Sequence, residues 1–174
     1  PAEQTPLSAL YIAGLFAEAG LPPGALNVVP GHGEAAGAAI VEDERVAMIT
    51  FTGSPEVGKV IRARAGLKRV TLELGSNSAL IVDKDADLDA IVPRCVTGAF
   101  SNQGQVCISL QRIYVHEEIY ESFVRKFAEA AKRLKQGDPL DPETDLSAMI
   151  SGRETERALS WIREATDGGA QVAA

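Results

Sequence analysis

The chain has 174 residues, 45% of them hydrophobic and 24% charged, with a formal net charge of −7 at pH 7 and a pI near 4.9. That is the balance of a globular protein, and its acidity argues against nucleic-acid binding, which needs a clustered basic face. No apolar run nears the roughly 20 residues of a membrane span, PAEQTPLSAL has neither the basic start nor the apolar stretch of a signal peptide, and two cysteines make no disulfide framework, so a cytoplasmic chain with free thiols is expected.

The elements alternate from the start. TPLSALYIAGLFAEAG (5–20) places Leu7, Leu10, Tyr11, Leu15 and Phe16 at near-helical spacing, and Gly20 with Pro22-Pro23-Gly24 ends it. ALNVVPG (25–31) reads as a short buried strand, GEAAGAAIVED (33–43) as a small-residue helix and AMITFTGS (47–54) as a second strand. Ser54 is a natural N-cap for SPEVGKVIRARAG (54–66), and RVTLELG (69–75) is a third strand. The basic run RARAGLKR (62–69) reads as a solvated helix end. Strand–helix alternation with continuous apolar strands predicts an α/β fold with a parallel, doubly wound sheet. Such a domain usually has five or six strands, so an edge is expected to be missing.

After Gly75 the pattern changes. SALIVDKDAD (78–87) reads as a strand and turn, and LDAIVPRCVTGAFSNQG (88–104) as a helix in which Pro93 is tolerable only near the first turn. QRIYVHEE (111–118) is a strand. IYESFVRKFAEAAKRLKQG (119–137) is an amphipathic helix closed by Gly137, and GDPLDPETD (137–145) a loop. TERALSWIREATDGG (155–169) is a helix, and AQVAA (170–174) looks like a strand cut short. With no initiator Met and an abrupt end, the chain is expected to be processed or a piece of something longer.

Three features carry chemistry. Gly31-His32-Gly33 with Gly37, and Thr52-Gly53-Ser54 with Gly58, follow two predicted strands. In a doubly wound sheet such turns border the ligand crevice, where helix N-termini favour a phosphate. A plain structural turn explains either one alone; two in succession favour a nucleotide, although neither matches G-x-G-x-x-G. Glu73, in the apolar TLELGSNS, is either a proton acceptor whose charged form an apolar setting disfavours, or simply the exposed end of a strand. Cys107 follows Asn102-Gln103-Gly104-Gln105, a polar lead-in that favours a reactive thiol over a packing one. Backbone amides there could also hold the oxyanion formed when a thiolate attacks a carbonyl. Cys95, in PRCVTGAF, reads as a core residue and His32 as a turn residue. No metal site is expected.

The pieces PAEQTPLSAL, LPPGALNVVPG, ITFTGSPEVGK, VTLELGSNSALIV, DADLDAIV, FSNQGQVC and GDPLDPETD resemble NAD(P)-dependent aldehyde dehydrogenases, in that family's order and separations. The resemblance covers essentially the whole chain and a central portion of the family's. It implies the last part of a modified Rossmann cofactor domain in residues 1–75, followed by the start of an α/β catalytic domain in 76–174. It aligns Cys107 with the catalytic nucleophile and Glu73 with the general base. Gly33, Gly37, Phe51, Gly53, Ser54 and Val57 fall on cofactor-binding turns, Leu74 beside the nicotinamide, and Glu3 on the adenosine ribose, which favours NAD over NADP. The implied activity is oxidation of a small aldehyde to its acid through a cysteine thiohemiacetal and thioester, by a homodimer or homotetramer.

Two alternatives are an acylating enzyme that passes the thioester to coenzyme A and a non-catalytic structural fragment. ELGS replaces the common ELGG, and VCISLQRIYV resembles the branch handling small hydroxy- or phospho-aldehydes such as lactaldehyde. The family's upstream oxyanion asparagine, the lysine expected just before Pro1, its downstream ribose-binding glutamate and its oligomerisation segment are not among these residues. The isolated piece is therefore expected to be nearly inactive.

Overall fold

The computed structural model describes residues 1–174 and divides into two compact units, Pro1–Gly75 and Ser76–Ala174. No helix is long and apolar enough to cross a membrane.

In the first unit, α1 (Leu7–Glu18) ends where Gly20 takes φ +89°, so that Leu21 N–H reaches back to the Phe16 carbonyl at 3.0 Å. A π-helical turn, Gly33–Gly37, runs into α2 (Ala38–Glu42). β1 (Met48–Thr52), α3 (Pro55–Arg64) and β2 (Arg69–Glu73) then form one βαβ crossover, with β1 and β2 paired in parallel from Met48↔Arg69 to Thr52↔Glu73. Ser54 caps α3, its Oγ accepting Val57 N–H at 3.3 Å, and Pro55 fills the first helical position, where its missing donor costs nothing. Val41, Ile49 and Ala65 are buried, with Val46, Ile61 and Val70 packed around them. α1 contributes nothing to this core: none of its residues is buried and Leu7 and Tyr11 are at least 70% exposed.

The second unit repeats the plan. β3 (Ser78–Val82), α4 (Leu88–Phe100) and β4 (Leu110–Val115) make another parallel crossover, with α5 (Tyr120–Lys132) against α4 and α6 (Gly152–Asp167) following a loop. Asp87 caps α4 through Asp89 N–H (3.0 Å) and Ala90 N–H (3.3 Å), and Ser151 caps α6. Val82, Val92, Cys95, Val96 and Phe123 form the core, and Phe127 stacks between Phe100 and Phe123 with centroids 6.1 and 5.7 Å away.

The α/β class follows from these crossovers, and four expectations are corrected. ALNVVPG pairs with no strand, so the first sheet has two strands rather than three. AQVAA is not a strand either: Ala170 N–H turns back to the Ala165 carbonyl at 2.9 Å, closing α6. Pro93 lies inside α4, not in its first turn, at an exposed position of the helix. α5 stops at Lys132, short of Gly137, because Lys135 N–H is taken by the Asp145 carboxylate at 2.9 Å and Gln136 bridges to Leu146.

Candidate active site

Within the first unit, the two strands end side by side. Beyond the Thr52↔Glu73 pair, Gly53 N–H donates to the Glu73 carbonyl at 3.0 Å, so the glycine turn and Glu73 share the carboxyl edge of the sheet. Ligands bind at this edge in open α/β sheets. Each residue here has a local reason. A Cβ on Gly53 would overlap the Phe51 ring, and one on Gly58 would come within 2.7 Å of Leu74 Cδ2. Gly58, buried in α3, thus lets the helix sit closely against the residue that follows β2. Ser54 and Val57 are joined through the cap.

The other turn gathers Glu3 and His32. The π-turn Gly33–Gly37 has no side-chain cap. His32 Nδ1 instead lies 3.1 Å from Glu3 Oε2, within hydrogen-bond reach of it. The pair tethers Glu3 beside the glycine turn.

Of the two alternatives for Glu73, an apolar setting or the exposed end of a strand, the structure shows the second. The alternation of β2 turns Val70 and Leu72 toward the packed side and leaves Arg69, Thr71 and Glu73 exposed.

In the second unit the two cysteines separate cleanly. Cys95 is 3% exposed in the core, where burial pushes its thiol pKa up. Cys107 is exposed, in the turn closed by Ser109 N–H to the Val106 carbonyl at 2.9 Å. Its own N–H has no partner in the chain and is free to donate. Before it, Asn102, Gln103 and Gly104 adopt φ of 51°, 59° and 73°, which breaks the helix expected to reach residue 104. Ser109, buried, bonds the Ala99 carbonyl through Oγ at 3.1 Å and ties the loop's two ends together.

The side chains of Gln103 and Gln105 have a role that the sequence did not reveal. Gln105 Oε1 accepts Ile150 N–H at 3.0 Å. The Gln103 amide is satisfied on both sides when its oxygen takes Ser147 N–H (2.8 Å) and its nitrogen meets the Asn102 carbonyl (3.1 Å). Ser76, the departure from ELGG, pairs its hydroxyl with that of Ser78 at 2.8 Å.

An α/β chain with two parallel crossovers, glycine turns at a strand edge and one accessible thiol defines the class. The aldehyde dehydrogenase family model matches residues 1–174, and the chain belongs to that family. It is 51% identical over 172 residues to 3-sulfolactaldehyde dehydrogenase of Priestia megaterium, covering 99% of this chain and 36% of that protein. It is 50% identical over 175 residues to human retinal dehydrogenase 2, covering 99% and 34%. Among solved structures, the glyceraldehyde-3-phosphate dehydrogenase GapN of Methanocaldococcus jannaschii, complexed with NADP, superposes with a TM-score of 0.91 at 39% identity, over 97% of this chain and 38% of that one. The chain thus spans about a third of the length of the curated relatives it matches.

Proposed function

We propose that these residues belong to an NAD-dependent aldehyde dehydrogenase that oxidises an aldehyde to its carboxylic acid, with Cys107 as nucleophile and Glu73 as general base. The observation that carries this reading is the accessible Cys107 thiol with an unpartnered backbone N–H, in a chain whose other thiol is buried.

Residues 1–75 serve the cofactor and residues 76–174 the catalytic thiol. The first unit fits a dinucleotide: the turns at Gly33–Gly37 and Gly53-Ser54 lie next to helical starts, and Glu3 is tethered beside the first of them. Gly33, Gly37, Phe51, Gly53, Ser54, Val57 and Leu74 would border it. The Glu3 carboxylate suits a ribose hydroxyl and would repel a 2′-phosphate, which favours NAD over NADP.

The chemistry follows from this chain's own groups. The Cys107 thiolate attacks the carbonyl carbon, forming a C–S bond as the π pair moves onto oxygen, and Cys107 N–H donates to that oxygen. NAD, when bound, supplies the acceptor for the hydride that leaves the same carbon, and the cysteine is then held as a thioester. Glu73 takes a proton from water, whose oxygen adds to the thioester carbon; the C–S bond breaks and the acid leaves with Cys107 restored. The substrate we propose is a small hydroxy- or acid-bearing aldehyde, supported by the VCISLQRIYV segment and by the sulfolactaldehyde enzyme's likeness. A cytosolic homodimer or homotetramer completes the proposal, two unpaired cysteines being in keeping with a reducing compartment.

The test is aldehyde-dependent NAD reduction by the whole protein, with acid measured in the absence of coenzyme A. Cys107→Ser is expected to abolish it. Turnover by that variant, or acyl product only when coenzyme A is present, would contradict the reading.

A further inference from the structure

The left-handed run before Cys107 raises a question of support. Two of its three residues, Asn102 and Gln103, carry side chains, and each non-glycine residue in that conformation costs on the order of 1–2 kcal/mol. Such a conformation persists only where the surroundings over-determine it. Local bonds contribute: Asn102 Nδ2 donates to the Gln105 carbonyl and Gln105 Nε2 to the Asn102 carbonyl, both at 3.3 Å, and Gln105 N–H to the same Asn102 carbonyl at 3.0 Å. These close the turn on itself without fixing it to anything else.

Besides Ser109, whose Oγ ties the loop to the Ala99 carbonyl, the bonds that fix the turn run to the two glutamine oxygens. Ile150 N–H donates to Gln105, and Ser147 N–H meets Gln103 in the amide orientation that satisfies both of its ends, each more than forty residues later in the chain. Their segment is itself held: Gly137 N–H donates to the Leu146 carbonyl at 2.9 Å, Leu146 N–H to the Lys135 carbonyl at 3.0 Å, and Ser151 caps α6. Each glutamine thus bridges a strained turn on one side and an anchored backbone on the other. An amide suits this because it donates and accepts at once.

We propose that Gln105, with Gln103, is a positioning residue that locks the Cys107 turn onto the 146–151 segment and so sets where the thiol stands for attack. The inference rests on Cys107 being the nucleophile. A thiol displaced by an ångström can lose about a hundredfold in rate while binding is unchanged.

The test uses the full-length enzyme. Gln105→Met removes both hydrogen bonds at similar volume, and is expected to lower kcat at least about tenfold, with KM for aldehyde and for NAD within about threefold. The thermal midpoint should stay within about 4 °C. Gln105→Glu keeps the oxygen that takes Ile150 N–H and is expected to hold kcat within about threefold of the parent. If Gln105→Met does not fold, Gln103→Leu, which releases Ser147 N–H together with the Asn102 carbonyl, is expected to give the same selective fall in kcat. Retention of kcat in the Met variant, an equal fall in the Glu variant, or a fall that tracks KM or the thermal midpoint would overturn the proposal. An active Cys107→Ser variant would instead overturn the reading on which it rests.

Discussion

Gly53 donates its backbone N–H to the Glu73 carbonyl at 3.0 Å, so the end of one strand holds the end of the next. The bond joins a glycine of the proposed cofactor turn to the proposed general base, and the Phe51 ring occupies the space a Cβ at residue 53 would need. Gly53→Ala is therefore expected to push the ring aside, destabilise by about 1–3 kcal/mol as overpacking does, and weaken NAD binding. Chemical denaturation and cofactor titration check both parts; unchanged stability and affinity would show that the turn accommodates a methyl group.

Glu3 and His32, 3.1 Å apart, make the proposed ribose contact testable. Glu3→Gln removes the charge proposed to exclude a 2′-phosphate while keeping an acceptor for His32. The expected outcome is a lower KM for NADP with kcat for NAD little changed, measured by steady-state kinetics with each cofactor. An unaltered preference would remove Glu3 from the discriminating role.

The Asp43–Arg45 pair predicts a pH dependence in the first unit. Arg45 donates to both carboxylate oxygens, at 2.9 and 2.6 Å, and with its own backbone N–H holds the Asp43 pKa well below the usual carboxylate range. A depressed folded-state pKa adds stability above the unfolded value near 4, and that increment is lost as pH falls through the folded one. Denaturant midpoints of the parent and Asp43→Asn are expected to differ at pH 7, with the gap narrowing only as pH falls below about 4 and closing as pH approaches the depressed folded value. A gap that did not change between pH 7 and pH 2 would assign the effect to packing. The pair is solvent-accessible, so the effect will be small and reduced by salt.

Much of this architecture was legible because local signals and tertiary structure agree. Ser54 and Gly20 punctuate their helices as their residue types dictate, and Cys95 and Cys107 separate by the polarity of their neighbours. The misreadings arise where a distant partner decides. ALNVVPG has the composition of a strand but no ladder to join, and α5 ends early because Asp145 and Leu146 claim the backbone after Lys132. Glu73 left two readings open, an apolar setting or the exposed end of a strand, and strand alternation turns it to the exposed side. The polar residues before Cys107 were visible, but their task was not: their partners are backbone N–H groups of Ser147 and Ile150, which leave no mark in residue type.

The central claim is that Cys107 carries the acyl group, and trapping that group tests it most directly. In Glu73→Gln of the whole enzyme, hydrolysis of the thioester is expected to slow by about 10²–10⁴-fold, so mixing with aldehyde and NAD should leave an acyl mass on the peptide containing Cys107. That adduct is expected on Cys107 and none on Cys95. Continued turnover with no adduct on Cys107, or an adduct only on another residue, would contradict it.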